Sequence, residues 1–186
     1  ELSRVSDEGA QMPALVAALE LIHDMPPSAA GTPEGNAAGV VERMIDTGSA
    51  RLRVEAIASA PLSWPHLVEA IVAGKDDHDD RVAVAAYRRM LALSPAEAKE
   101  AQEGLRRIAK KGGLAADDAK AALVEARDDD VLPLLAADRA AKSPLSRADL
   151  AERYAALGQL SLALPFVADP DARVRARAAC AIVAKD

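Results

Sequence analysis

Aromatic residues are almost missing from this chain, which has one Trp, two Tyr and one Phe among 186 residues. Enzymes that handle nucleobases stack the base against aromatic faces, so a chain this poor in them is a weak candidate for that class. Cysteine is nearly absent as well. Cys180 alone supports no internal disulfide and no cysteine-based zinc site, so the fold must rest on its packed interior. No apolar run approaches the roughly eighteen residues that span a bilayer, and residues 1–10 lack the basic start and apolar stretch of a signal peptide. The sequence starts at glutamate, which leaves room for a removed leader, a lipid anchor or further domains. The compartment therefore stays open, with the cytoplasm slightly favoured. An excess of positive charge is missing too: residues 1–93 carry 8 basic and 14 acidic side chains, and residues 94–186 carry 15 of each. Neither half offers the net positive face on which nucleic-acid binding depends.

What the chain has in quantity is alanine, close to a quarter of all residues, within a composition that is 51% hydrophobic. Strand-favouring β-branched and aromatic residues are few, so an all-β fold is excluded and packed helices are expected. Apolar residues recur at three- and four-residue spacings in segments separated by short runs of Gly, Pro, Ser or Asp. This punctuation predicts eleven helices, near 12–23, 36–46, 49–60, 63–74, 78–93, 95–111, 115–127, 129–141, 146–157, 159–168 and 170–185. Such short helices cannot bury their apolar faces alone, so neighbouring pairs must stack.

A repeat runs through the pattern. Met12-Pro13-Ala14-Leu15-Val16, Trp64-Pro65-His66-Leu67-Val68, Leu132-Pro133-Leu134-Leu135 and Leu164-Pro165-Phe166-Val167 each set a proline before aliphatic residues, as at a helix start, where the missing N–H costs nothing. The alternate helices are introduced by acids. Asp169-Pro170-Asp171-Ala172-Arg173-Val174-Arg175-Ala176-Arg177-Ala178-Ala179 is the clearest copy, and the strings beginning at Asp77 and Thr47 align with it. An aspartate, a following proline, Val-Arg five and six positions on and then two alanines resemble HEAT-type helical repeats, including the HEAT-like repeats named after phycobilisome lyases. Asp169, Pro170, Val174, Arg175, Ala178 and Ala179 carry that resemblance. The Asp77 copy has Ala83 where arginine is expected, and the Thr47 copy keeps Arg53 without the aspartate, so the family's aspartate–arginine ladder should be incomplete here. The resemblance implies an all-α solenoid used as an interaction surface, with Asp169 and Arg175 as ladder residues, Arg175 bonding the neighbouring repeat. It implies no catalytic residue.

The parse is a flexible segment at 1–11, then one domain over 12–186. The domain has a leading helix, a connection at 24–35, and five stacked hairpins at 36–60, 63–93, 95–127, 129–158 and 159–185. Val82, Val174 and Ile182 are expected between the layers. Ala172, Ala176, Ala179 and Val183 form an apolar outer face on the last helix, and Leu15, Val16, Leu19 and Ile22 a similar one on the first. Both ends are therefore expected to await adjoining sequence, a second copy or a partner.

Chemistry-bearing clusters read as local structure. Asp76-Asp77-His78-Asp79-Asp80 and Asp128-Asp129-Asp130 precede helices, where acids cap free N–H groups, and consecutive residues cannot converge on one ion. His23, His66 and His78 belong to no HExxH pattern, and Gly74-Lys75 lacks the rest of a phosphate loop. Cys180 is expected to pack, and Trp64 to close a turn. Arg81, Arg88, Arg147, Arg173 and Arg177 fall on the second helices, which line the concave side in the resembling family. They are the candidate partner-binding residues, suited to an acidic protein segment. The function expected is a non-catalytic scaffold or adaptor that needs no metal or cofactor. The alternative is an enzyme or enzyme subunit on the same repeats, similar to a chromophore lyase or a helical-repeat DNA glycosylase.

Overall fold

The computed structural model describes residues 8–28, 31–140 and 143–185. Among these the chain is all helical, without a strand, in eleven α-helices. They are α1 (Glu8–Ile22), α2 (Pro33–Thr47), α3 (Ala50–Ser59), α4 (Pro65–Ala73), α5 (Asp80–Met90), α6 (Pro95–Lys111), α7 (Ala116–Glu125), α8 (Leu132–Ala136), α9 (Pro144–Ala156), α10 (Leu160–Ala163) and α11 (Ala172–Val183). Short 3-10 turns at Gly74–Asp76, Asp129–Val131, Ala137–Ala140 and Leu164–Ala168 prolong their neighbours. None of the described helices is long and apolar enough to cross a membrane.

Local chemistry explains most boundaries. Thr32 and Ser49 cap α2 and α3, accepting the N–H groups of Gly35 at 3.1 Å and Leu52 at 3.3 Å. Ser94 and Glu97 form a reciprocal capping box at the start of α6. Proline occupies the first turn of α2, α4, α8 and α9, where no N–H is needed. Pro13 departs from the expectation. It lies inside α1, which begins at Glu8, so residues 8–11 are helical, while residues 1–7 lie outside the described residues. One missing intrahelical bond on an exposed face does not break the helix. The connection is shorter than 24–35, because Thr32 and Pro33 already start α2; residues 29 and 30 lie outside the described residues.

The chain divides into two compact units, residues 1–104 and 105–186. In the first, α2 packs on α3 and α4 on α5, and the pairs meet through α2 with α4 and α3 with α5. Leu52, Ile57, Trp64, Leu67, Ile71 and Val82 are fully buried between them. Each such large side chain contributes about 1.5–3 kcal/mol. Ala38, Ala56, Ala60 and Ala86 are buried as well, which is where the alanine content allows helices to approach closely. The leading helix is not waiting for a partner: α1 lies on α2 and α3, with Leu15 and Ile22 fully buried. Of its large apolar side chains, Val16 and Leu21 remain exposed.

The second unit is organised around α9, which packs on α11, α10 and α7. Leu150, Tyr154, Val174 and Ala178 are buried there. Ile182, expected in the interior, is only half-buried. It lies eight residues beyond Val174, about 80° round the helix, at the edge of the covered stripe. Of the outer face, Ala172, Ala176 and Val183 are exposed, while Ala179 is half-buried.

Candidate functional site

The acids ahead of α5 and α11 each perform two tasks. Asp77 stands two residues before the N-cap of α5. Its Oδ1 accepts the Asp79 N–H at 2.8 Å and Arg53 Nη2 at 3.2 Å, and its Oδ2 meets Arg53 Nε at 2.9 Å. Asp169 repeats this before α11: Oδ1 accepts the Asp171 N–H and Arg147 Nη2, both at 2.9 Å, and Oδ2 accepts Arg147 Nε at 2.7 Å. A carboxylate so placed closes a turn and holds an arginine of the helix packed alongside, Arg147 by two hydrogen bonds and Arg53 by one hydrogen bond and a close ionic contact. The hydrogen bond from Arg147 holds Asp169 below the usual carboxylate range and raises Arg147 in return. Asp128 makes a similar clamp with Arg106 at 2.8 Å and accepts the Asp130 N–H at 3.0 Å. The acidic runs at 76–80 and 128–130 thus serve turns, caps and guanidinium groups. Among the described residues no cluster has metal-binding geometry.

Arg175 occupies the helix position of Arg53 and Arg147, four residues after the N-cap. Its Nη1 donates to the carbonyls of Asp169 at 2.9 Å and Pro170 at 3.0 Å, as Arg53 Nη1 donates to Gly48 at 2.7 Å. The expected bond from Arg175 to a neighbouring repeat is not among its contacts.

At the N-caps of α5 and α11 the same device appears twice. Asp79 accepts the Arg81 N–H at 2.9 Å and grips its guanidinium at 3.0 and 2.6 Å. Asp171 treats Arg173 alike, at 2.8, 3.2 and 3.0 Å. The arginine hydrogen bond, helped by the backbone N–H, lowers each carboxyl from 3.8 to about 2. A carboxylate whose folded value is depressed adds stability above its unfolded value and loses it as pH falls through the folded one. The stability difference between the parent and an Asp79→Asn, Asp171→Asn double variant should therefore be present above pH 3.8 and vanish near pH 2. Thermal melts across that window at low salt measure it; a difference that persists below pH 2 would contradict the assignment.

The candidate arginines separate into groups. Arg147 is drawn into the Asp169 clamp, so its guanidinium serves the packing of α9 with α11 rather than an open surface. Arg81 and Arg88 are exposed on α5 in the first unit. Arg173 and Arg177 come together in the second, on the rim of a groove of about 580 Å³ between α9 and α11. Its walls are Ser143, Pro144, Leu145, Ala148 and Ala176, and an adjoining hollow continues past Cys180 and Ala181. Arg177 is already forked between Glu152 at 2.6 Å and Asp149 at 2.7 Å, which raises its pKa further. Arg173 is 81% exposed, and its Nη1 keeps its donors after Asp171 has taken Nε and Nη2. Leu145, 64% exposed, supplies the apolar floor.

Sequence reasoning missed Leu145, because an exposed leucine in an amphipathic helix has the same spacing as a buried one. Cys180 is exposed rather than packed, since it lies beside the groove and not on the Val174 stripe. Trp64 is fully buried against His66 at the turn before α4, as expected of a turn-closing residue. No protein-family model, curated protein or solved structure matches the chain.

Proposed function

We propose that this protein is a non-catalytic interaction module, an α-solenoid of HEAT-type hairpins whose second helices hold a segment of another protein. The observation that carries the reading is the α9–α11 groove, where an exposed leucine and two alanines lie beside an arginine with donors to spare. An apolar floor with a single charged rim suits a peptide that inserts one apolar side chain and sets a carboxylate against Arg173. The acid belongs at the Arg173 end, because Glu152 and Asp149 already outweigh the charge of Arg177 and would repel another carboxylate there. Stacking of α3 on α5 and of α9 on α11 supports the solenoid reading within each unit.

The test is affinity capture followed by mass spectrometry, comparing the parent with Leu145→Asp and with Arg173→Glu. Leu145 is exposed and apolar, so Leu145→Asp should melt close to the parent, whereas Arg173→Glu also gives up the Asp171 pair and should melt slightly lower. Each change should reduce recovery of the partner by about tenfold or more, the equivalent of one lost anchor. Equal recovery from all three chains would place binding elsewhere.

A further inference from the structure

The groove beside Leu145 has a direction. Arg147, near the start of α9, bonds Asp169 just ahead of α11, and Arg177, further along α11, bonds Asp149 and Glu152, further along α9. The contacts advance together, so the two helices run parallel, and both of their N-termini lie at the Arg173 end of the groove. Each helix N-terminus carries roughly half a positive charge. Asp171 offsets Arg173 there without using its Nη1. Further along the sign reverses, because Asp149 and Glu152 together exceed the single charge of Arg177. The groove also has a chemistry. Leu145, Ala148 and Ala176 line it, and the adjoining hollow runs on to Ala181. Arg173 and Ala181 stand about 12 Å apart along the axis of α11, room for about two helical turns. These walls are side chains of helices whose interior backbone groups are spent on their own turns. An extended segment laid there would press part of its N–H and C=O groups on methyl groups that return no bond, whereas a helix brings its backbone bonds with it.

We propose that the groove between α9 and α11 seats an amphipathic helix of the partner protein, running antiparallel to both, with an aspartate or glutamate in its last turn beside Arg173. The small side chains of Ala148 and Ala176 let the docked backbone come close, and Leu145 meets an apolar residue of the same end. Antiparallel docking sets the negative C-terminal end of the guest against the N-termini of α9 and α11, and its positive N-terminal end towards Asp149 and Glu152. A parallel guest would oppose like ends at both places. The inference rests on the reading of this groove as a docking site, and it adds the conformation, direction and charge of what the groove holds.

The probe is a random peptide library of about 14 residues, long enough for four helical turns, displayed on phage and selected on the immobilised full chain. Selected binders should carry apolar residues at three- and four-residue spacings and an acid in the last turn, where a free helix disfavours one. Synthesised, they should gain helical circular dichroism on binding, and a central proline should weaken them about tenfold or more. Direction is read from Cys180, the single cysteine, exposed beside the far end of the groove. In oxidised glutathione a cysteine at the N-terminal end of the peptide should form a disulfide with Cys180 about tenfold faster than one at the C-terminal end. Arg173→Glu should weaken the same peptides about tenfold, and selection on that variant should replace the acid by Lys or Arg. Binders that tolerate the proline and gain no helicity, or that couple faster through the C-terminal cysteine, would overturn the proposal and leave the groove reading standing. A library without binders, or with binders indifferent to Leu145→Asp and Arg173→Glu, would sink both.

Discussion

Gly104→Ala should lower stability by about 2–3 kcal/mol, although glycine to alanine inside a helix ordinarily gains up to about 1 kcal/mol. Gly104 lies within α6, buried against Tyr87 of α5. A methyl carbon added there would stand 2.5 Å from Cε1 and Cε2 of the Tyr87 ring and nearer still to Cζ. The ring is rigid and itself buried, so relief requires α5 and α6 to move apart or the ring to leave its packed position. Gly39 in α2 provides the control, since nothing lies within 4 Å of the carbon it would gain. Gly39→Ala should follow propensity and stabilise by about 0.5–1 kcal/mol. Urea titrations of both variants measure the pair. A Gly104→Ala chain as stable as the parent would show that Tyr87 does not occupy that surface.

Val174→Asp should cost about 4 kcal/mol or more and release α11 from the second unit. Val174 is fully buried and, with Ala178, forms the stripe by which α11 packs on α9. A carboxylate placed there loses its water and meets no cation or donor to replace it. Val183→Gln, on the same helix but on its open face, should change stability by no more than about 0.5 kcal/mol. Circular dichroism melts with proteolysis of the C-terminal segment report both outcomes. If Val174→Asp melted like the parent, the burial of that face would be refuted.

The contrast between those two valines shows how far a linear reading reaches. Helical spacing put Val174 in the interior and Ala176 and Val183 on the opposite face, because a 3.6-residue period is a local property. It also placed Ile182 in the interior, where the structure leaves it half-buried at the stripe's edge. Pro13 looked like a helix start and lies inside one, since a single lost bond is outweighed when the flanking turns pack well.

The polar pairings were less legible. Asp169 stood out in its sequence string, and so did Arg175, but the carboxylate of Asp169 bonds Arg147 on α9. An aspartate beside several arginines of one sequence has no local preference among them. Distance in the folded chain makes the choice, and it took Arg147 out of the arginines read as an open surface.

By itself, then, the sequence determined what depends on neighbours along the chain: helical segments, the caps and prolines that bound them, the absence of disulfide chemistry and the stripe each helix buries. Only the tertiary structure decided which distant guanidinium Asp77, Asp128 and Asp169 hold, which apolar residues become a groove, and that α1 is covered while α11 keeps an open face. Those outcomes depend on contacts between residues some twenty or more positions apart. Such contacts form only after the helices have paired, and no local spacing encodes them.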